Sequence, residues 1–153
     1  MAASKINKNK RIGEPKHTPR PPYVTNIKNP DTFNSSSPSW CFRLCDRECW
    51  TLTAGDLNEI LPKLKDWEAQ TWNEILVKAN KQNHSIDAAN LNKLARERLD
   101  TMRIEAEAIV SLRLQGTHRL YGYRIGSVFY ILWYDKDHGD NDTCVCRSHK
   151  KGT

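Results

Sequence analysis

The chain has 153 residues, enough for one well-filled core and too few for two, and its apolar fraction of 38% with a mean hydropathy of -0.74 leaves part of it outside any core. Its longest apolar run, Val128–Trp133, is far short of the roughly 20 residues of a membrane-crossing helix. The polar, basic first residues carry no apolar stretch of the kind a secretory leader needs, so a cytoplasmic protein is expected.

The net charge of +6 is unevenly spread: residues 1–37 hold 7 Lys/Arg against 2 Asp/Glu, residues 38–137 hold 14 of each, and residues 138–153 hold 3 against 2. A basic arm on a neutral body suits a polyanion, and it is equally the layout of a solvated leader. Residues 1–37, rich in Lys, Asn, Pro and Ser with no apolar period, read as a disordered tail. Residues 38–138 read as the folded domain and 139–153 as a basic extension.

The domain opens on Trp40, Phe42 and Leu44 alternating with Cys41, Arg43 and Cys45, which predicts a short strand with one apolar face. From Thr53 the spacing of Leu57, Ile60, Leu61, Leu64 and Trp67 predicts a helix that starts near Thr53 or Gly55-Asp56. Pro62 removes a donor and crowds the preceding turn, so a kink or restart is expected there. Trp72, Ile75, Leu76 and Ala79 repeat the pattern, and polar Asn80–Ser85 closes it. Leu91, Leu94, Ala95, Leu99 and Met102 predict a further helix over about 88–102.

After Ile109 the period becomes two. Val110, Leu112 and Leu114 alternate, Gln115-Gly116-Thr117 turns, His118–Ile125 runs back, Gly126-Ser127 turns again, and Val128–Tyr134 follows. Val128–Trp133 has no polar interruption, as expected of a strand covered on both faces. The fold class that results is α+β: a small antiparallel sheet, made of the N-terminal strand and a C-terminal three-strand meander, packed against two or three helices.

The five cysteines, Cys41, Cys45, Cys49, Cys144 and Cys146, do not form paired C-x-x-C motifs, and an odd number argues against a disulfide framework. A mixed zinc site of Cys49, Cys144, Cys146 and His149 stays geometrically open beside the reading of these thiols as small core or surface residues. Phosphate-binding glycine loops, the G-x-S-x-G elbow and H-E-x-x-H are all missing from the sequence. Chemistry-bearing residues instead crowd into the last third, where Arg113, His118, Arg119, Tyr121, Tyr123 and Arg124 fall on two adjacent predicted strands and His138 follows the third. Arginines beside tyrosines on a sheet can hold phosphates and offer rings to bases, and are also ordinary cross-strand partners.

The run Leu114–Arg124, the apolar strand from Ser127 to Leu132 and the later His138 resemble the C-terminal half of the RelE/ParE superfamily of bacterial toxins, the YoeB-like branch above all. The predicted order of strand, helices and three strands is similar to that superfamily's. The resemblance implies the toxin of a type II toxin-antitoxin system: an endoribonuclease that cleaves mRNA, often on the ribosome, and is held inactive by a cognate antitoxin. It implies no metal and no other cofactor, because the RNA's own 2′-hydroxyl attacks the phosphate. By motif, Arg119 and, more loosely, Arg113 would stabilise phosphate charge, His138 would be the acid or base, and Glu74 on the second helix its partner. Arg124, Tyr121, Tyr123, Arg147, Lys150 and Lys151 would contact the nucleic acid. The chain departs from the pattern where Gly139 stands in place of a terminal tyrosine, and in its tail, its extension and its helix near 88–102. A non-catalytic member of the fold, directed at DNA gyrase or only binding RNA, is the alternative.

Overall fold

The computed structural model describes residues 31–139 and 143–146, together with the backbone strand Tyr23–Val24. That strand, β1, pairs in parallel with β4, Ile104–Glu105. The main sheet has five strands in the order β2-β7-β6-β5-β3, where β2 is Ser39–Cys41, β3 His84–Asp87, β5 Ala108–Gln115, β6 His118–Ile125 and β7 Val128–Asp135. Helix α1 is Ala54–Glu68, a π-helical segment covers Asn73–Lys78, and α2 is Lys93–Thr101. The architecture is α+β, with helices packed on the sheet.

The meander β5-β6-β7 forms as its alternation predicts, through two-residue turns. Each turn opens on a glycine at positive φ, 51° at Gly116 and 61° at Gly126, a conformation that crowds any Cβ. Two features of the sheet differ from the sequence expectation. β2 stops at Cys41 and pairs with β7 in parallel, Ser39 opposite Val128, so the sheet is mixed rather than antiparallel. The other edge carries β3, antiparallel to β5 and beginning within the polar residues expected only to close the helical segment. Its sequence, His-Ser-Ile-Asp, offers one apolar residue, and backbone pairing rather than a buried face places it.

Both faces of the sheet are covered. On one, α1 and the π-helical segment bury Ile60, Leu64, Trp67, Trp72 and Ile75 against Leu112, Leu120, Phe129 and Ile131. On the other, α2 buries Leu91, Ala95 and Leu99 against Ile109, Tyr121, Tyr123, Leu132 and Trp133. The apolar run of β7 serves both layers through a bulge. Tyr121 pairs with Trp133 and Gly122 with Ile131, so Leu132 is the extra residue. The bulge reverses the alternation: Phe129, Ile131 and Tyr134 face α1, while Leu132 and Trp133 face α2. Gly122 lies against it, where a Cβ would stand 2.0 Å from the Tyr130 carbonyl oxygen.

Thr53 caps α1 in a capping box, its Oγ1 accepting from the Asp56 N–H and Asp56 Oδ2 accepting from the Thr53 N–H. Of the kink or restart expected at Pro62, the restart does not occur, since α1 continues through it. Pro62 and Asn58 lie on the exposed side, where water can solvate the carbonyl left without a donor. The helix expected over 88–102 forms as a 3-10 turn, Ala88–Asn90, followed by α2.

Asp46 clamps α2 to the sheet. Its buried carboxylate accepts from Arg98 Nε and Nη2 at 2.9 Å each, from Trp133 Nε1 at 3.0 Å and from the Glu48 N–H at 2.9 Å. Burial favours its protonated form, but the Arg98 guanidinium and these other donors outweigh burial and hold the carboxyl below its ordinary range. Beyond the 38–138 span, the Ser36 carbonyl accepts from the Trp72 N–H, and Cys144, Val145 and Cys146 are buried in the α2-side core, with Cys146 bridged to Leu91.

Candidate functional site

Strand register gathers four cationic or proton-exchanging side chains at one end of the α2 face. Arg113 of β5 pairs with Arg119 of β6, and Ser111 pairs with Tyr121. His84 of β3 stands opposite Ser111, on the side of its strand that also carries Ile86, which packs into the α2-side core. His138 follows β7 and is brought back over the hairpin by its N–H, which donates to the Thr117 carbonyl at 3.1 Å. Its ring Nδ1 then lies 3.3 Å from the Tyr121 hydroxyl. Arg113 and His84 are exposed and Arg119 and His138 half-buried, so the cluster opens to solvent.

Each member is positioned by backbone or core. Asn83, buried, donates to the Ile75 carbonyl and accepts from the Arg113 N–H at 2.9 Å, which fixes β5 where its register shifts before Gln115. Arg119 donates to the Gly116 carbonyl at 2.6 Å and to the His118 carbonyl at 3.1 Å, so its guanidinium is held at the hairpin end. Asp135 pairs with Arg119 in register, but its carboxylate accepts from the Val145 and Asp137 N–H groups, each at 2.8 Å. Burial raises the Asp135 pKa against those two hydrogen bonds.

The electrostatics favour an anion beside a neutral imidazole. Burial, then the charge of Arg113, lowers the pKa of Arg119. Burial, then Arg119, His84 and Arg113, lowers that of His138. Guanidinium groups remain charged at neutral pH, so the repulsion is relieved by an anion between them. Tyr121 engages one nitrogen of the imidazole, Nδ1. Its hydroxyl is 2.8 Å from Cys146 Sγ, and burial and this contact push its pKa up, so it is a neutral phenol. Burial also raises the Cys146 pKa to about 11, while the tyrosine hydrogen bond pulls it the other way, as expected when Tyr121 donates to sulfur. Where Tyr121 gives its proton to sulfur, its oxygen accepts from His138 Nδ1–H and Nε2 is the acceptor; in either arrangement Nε2 is the ring nitrogen outside this contact.

The residues singled out in the sequence therefore divide. Arg113, Arg119 and His138 come together. Glu74 does not: it lies in the π-helical segment on the α1 side of the sheet, 3.4 Å from Thr71 Oγ1, whose neighbours Trp72 and Ile75 are core. Arg124 also faces that side, its guanidinium 5.2 Å from the Trp72 ring centre and Nη2 donating to Asn34 Oδ1 at 2.8 Å. Tyr121 and Tyr123 are 0% and 3% exposed, and Tyr123 stacks on Tyr130 at 5.1 Å, so neither ring is open for a base to stack on. Their helix and C-terminal cover is a long-range arrangement that strand periodicity does not reveal.

Arg147, Lys150 and Lys151 lie outside the described residues, as does His149 of the conceivable zinc set. Of that set's other members, Cys144 Sγ donates to the Cys146 carbonyl at 2.7 Å and Cys146 Sγ faces Tyr121. Among the described residues no three His, Cys, Asp or Glu side chains gather as a metal site. No described helix is long and apolar enough to cross a membrane. His84 is the member of the cluster that sequence reasoning passed over, because it lies in an edge strand with almost no apolar signal. Comparison with known proteins adds no relative: no family model, curated protein or solved structure matches the chain.

Proposed function

We propose that the chain is a metal-independent endoribonuclease of the RelE/ParE toxin type, acting on mRNA in the cytoplasm, on or off the ribosome, and silenced by a cognate antitoxin. The observation that carries this reading is the convergence of Arg113, Arg119 and His138 at one open end of the sheet. In this reading a phosphodiester sits between the two guanidiniums, whose charges stabilise the phosphorane as it forms. His138 Nε2 takes the proton of the ribose 2′-hydroxyl, whose oxygen attacks phosphorus. The lowered pKa of His138 keeps it unprotonated at neutral pH, in the form a base requires.

A second reading, a phosphate-binding or gyrase-directed member of the fold without catalysis, is favoured by one observation: Glu74, the expected partner of His138, stands on the opposite side of the sheet. Induction of the intact protein and of Arg113→Ala and Arg119→Ala variants in a bacterial host, with growth and RNA integrity followed, separates the two. Growth arrest with cut mRNA, lost in both folded variants, supports the nuclease. Arrest with intact RNA supports a gyrase-type target. Normal growth with salt-sensitive RNA binding supports the binding module, since neutralised phosphates release counterions. Arg113, exposed at its strand, is the safer variant because Arg119 also ties its own hairpin.

A further inference from the structure

We propose that His84 is the second proton-transfer group of this site, the general acid that protonates the departing 5′-oxygen of an RNA phosphodiester. The inference rests on the nuclease reading above and supplies the partner that Glu74 does not. Register alone places His84 in the cluster. It pairs with Ser111, two residues before Arg113 on the same face, so His84 and Arg113 are successive positions on adjacent strands. Arg113 pairs in turn with Arg119, and His138 is anchored beyond them on Tyr121. The two imidazoles thus belong to one group with the paired guanidiniums, and His84 is close enough to His138 to oppose its protonation.

The two histidines differ in a way that divides the labour. His138 is half-buried with its Nδ1 engaged by Tyr121, which leaves Nε2 as the nitrogen outside that contact. His84 is exposed on an edge strand and stands open to water and to a substrate strand. Cleavage then balances as follows. The O2′–H proton moves to His138 Nε2 as the O2′–P bond forms, the P–O5′ bond breaks, and His84 gives its proton to O5′. The products are a 2′,3′-cyclic phosphate and a 5′-hydroxyl. His138 ends protonated and His84 neutral, and exchange with water resets both. The charged and titratable groups around the pair are Arg113 of β5, Arg119 and Tyr121 of β6, Asp135 of β7, and Cys146.

The test compares the intact protein with His84→Ala and His138→Ala on two oligoribonucleotides. One is ordinary RNA, and the other carries sulfur in place of the bridging 5′-oxygen at the cleavage site. A thiolate departs without protonation, so it needs no general acid. With ordinary RNA, His84→Ala is expected to be slower by about 100-fold, the lower range for a lost acid or base. With the sulfur substrate it is expected to recover to near the unsubstituted protein, whereas His138→Ala stays slow on both. Unchanged cleavage of ordinary RNA by His84→Ala, or a defect that sulfur does not repair, overturns the assignment of His84 while leaving the nuclease reading standing. Binding without cleavage by the unsubstituted protein, with ribosomes present as well as absent, overturns both. Circular dichroism and thermal melting of the variants verify that each is folded, and if His84→Ala melts early, His84→Gln takes its place with the same outcomes required.

Discussion

Replacing Arg98 with methionine probes the clamp that holds α2 on the sheet. The Asp46 side chain is 0% exposed and that of Arg98 13%, so this pair is shielded from water, unlike the exposed Lys93–Glu97 pair on the same helix. The substitution keeps most of the side chain's apolar volume and removes two hydrogen bonds of 2.9 Å to the carboxylate. Breaking a buried pair by removing one partner costs about 3–5 kcal/mol. Trp133 Nε1 and the Glu48 and Cys49 N–H groups remain on Asp46 and keep the loss near the lower figure. A loss of about 3 kcal/mol lowers Tm by ~12 °C in a domain of this size.

The pH dependence supplies the sharper check. In the unsubstituted protein Asp46 has a lowered pKa, so its contribution is present above the unfolded value and lost as pH falls through the folded one. Without Arg98 the foremost group that lowers the carboxyl's pKa is gone while burial, which raises it, stays, so the variant loses less on acidification. The two proteins should therefore differ most near neutral pH and converge in acid. Urea unfolding followed by far-ultraviolet circular dichroism across the acid range measures this. A neutral-pH loss below about 1 kcal/mol, the range of exposed pairs, or a difference independent of pH, refutes the reasoning.

Four further outcomes follow from the geometry. Gly122→Ala should fail to give a cooperatively folding protein, because its Cβ would meet the Tyr130 backbone oxygen at 2.0 Å in mid-sheet; a normal melting curve contradicts this. Asn83→Ala strands the Ile75 carbonyl and the Arg113 N–H and should cost about 2 kcal/mol or more in urea unfolding. His138 has a pKa below its ordinary 6.5, so the unfolded chain binds its proton more readily, and stability should fall as pH drops from about 6.5 toward the folded value. His138→Gln should flatten that slope in melts at graded pH. Tyr121→Phe releases Nδ1 of His138, and should lower RNA cleavage while shifting the basic-group limb of its pH profile; an unchanged profile removes Tyr121 from its positioning role.

The meander and α1 were legible because their periods are local: alternation around two glycine turns, and a three-and-four spacing closed by Thr53 and Asp56. What escaped depends on partners distant in sequence. β3 owes its place to β5, and the parallel pairing of β2 is set by β7. Arg113 and Arg119 could be placed together because they flank one hairpin. The side of the sheet on which Glu74 falls depends on how its helical segment packs, and the burial of Tyr121 depends on Cys146 and the α2 layer. Periodicity identifies which residues share a face, but the cover over that face comes from elsewhere in the chain.

The parallel seam between Ser39–Cys41 and Val128–Tyr130 sets the order of assembly. The hairpins β5-β6 and β6-β7 close over two-residue turns, and their loop entropy is small. β2 must await a partner that lies beyond both helices and the β5-β6 hairpin, and Trp40, which contacts Trp67, Trp72 and Phe129, waits with it. Closing a contact so distant along the chain costs more loop entropy than closing either hairpin. Kinetically, β2 is the final staple, so weakening Trp40 should speed unfolding far more than it slows folding.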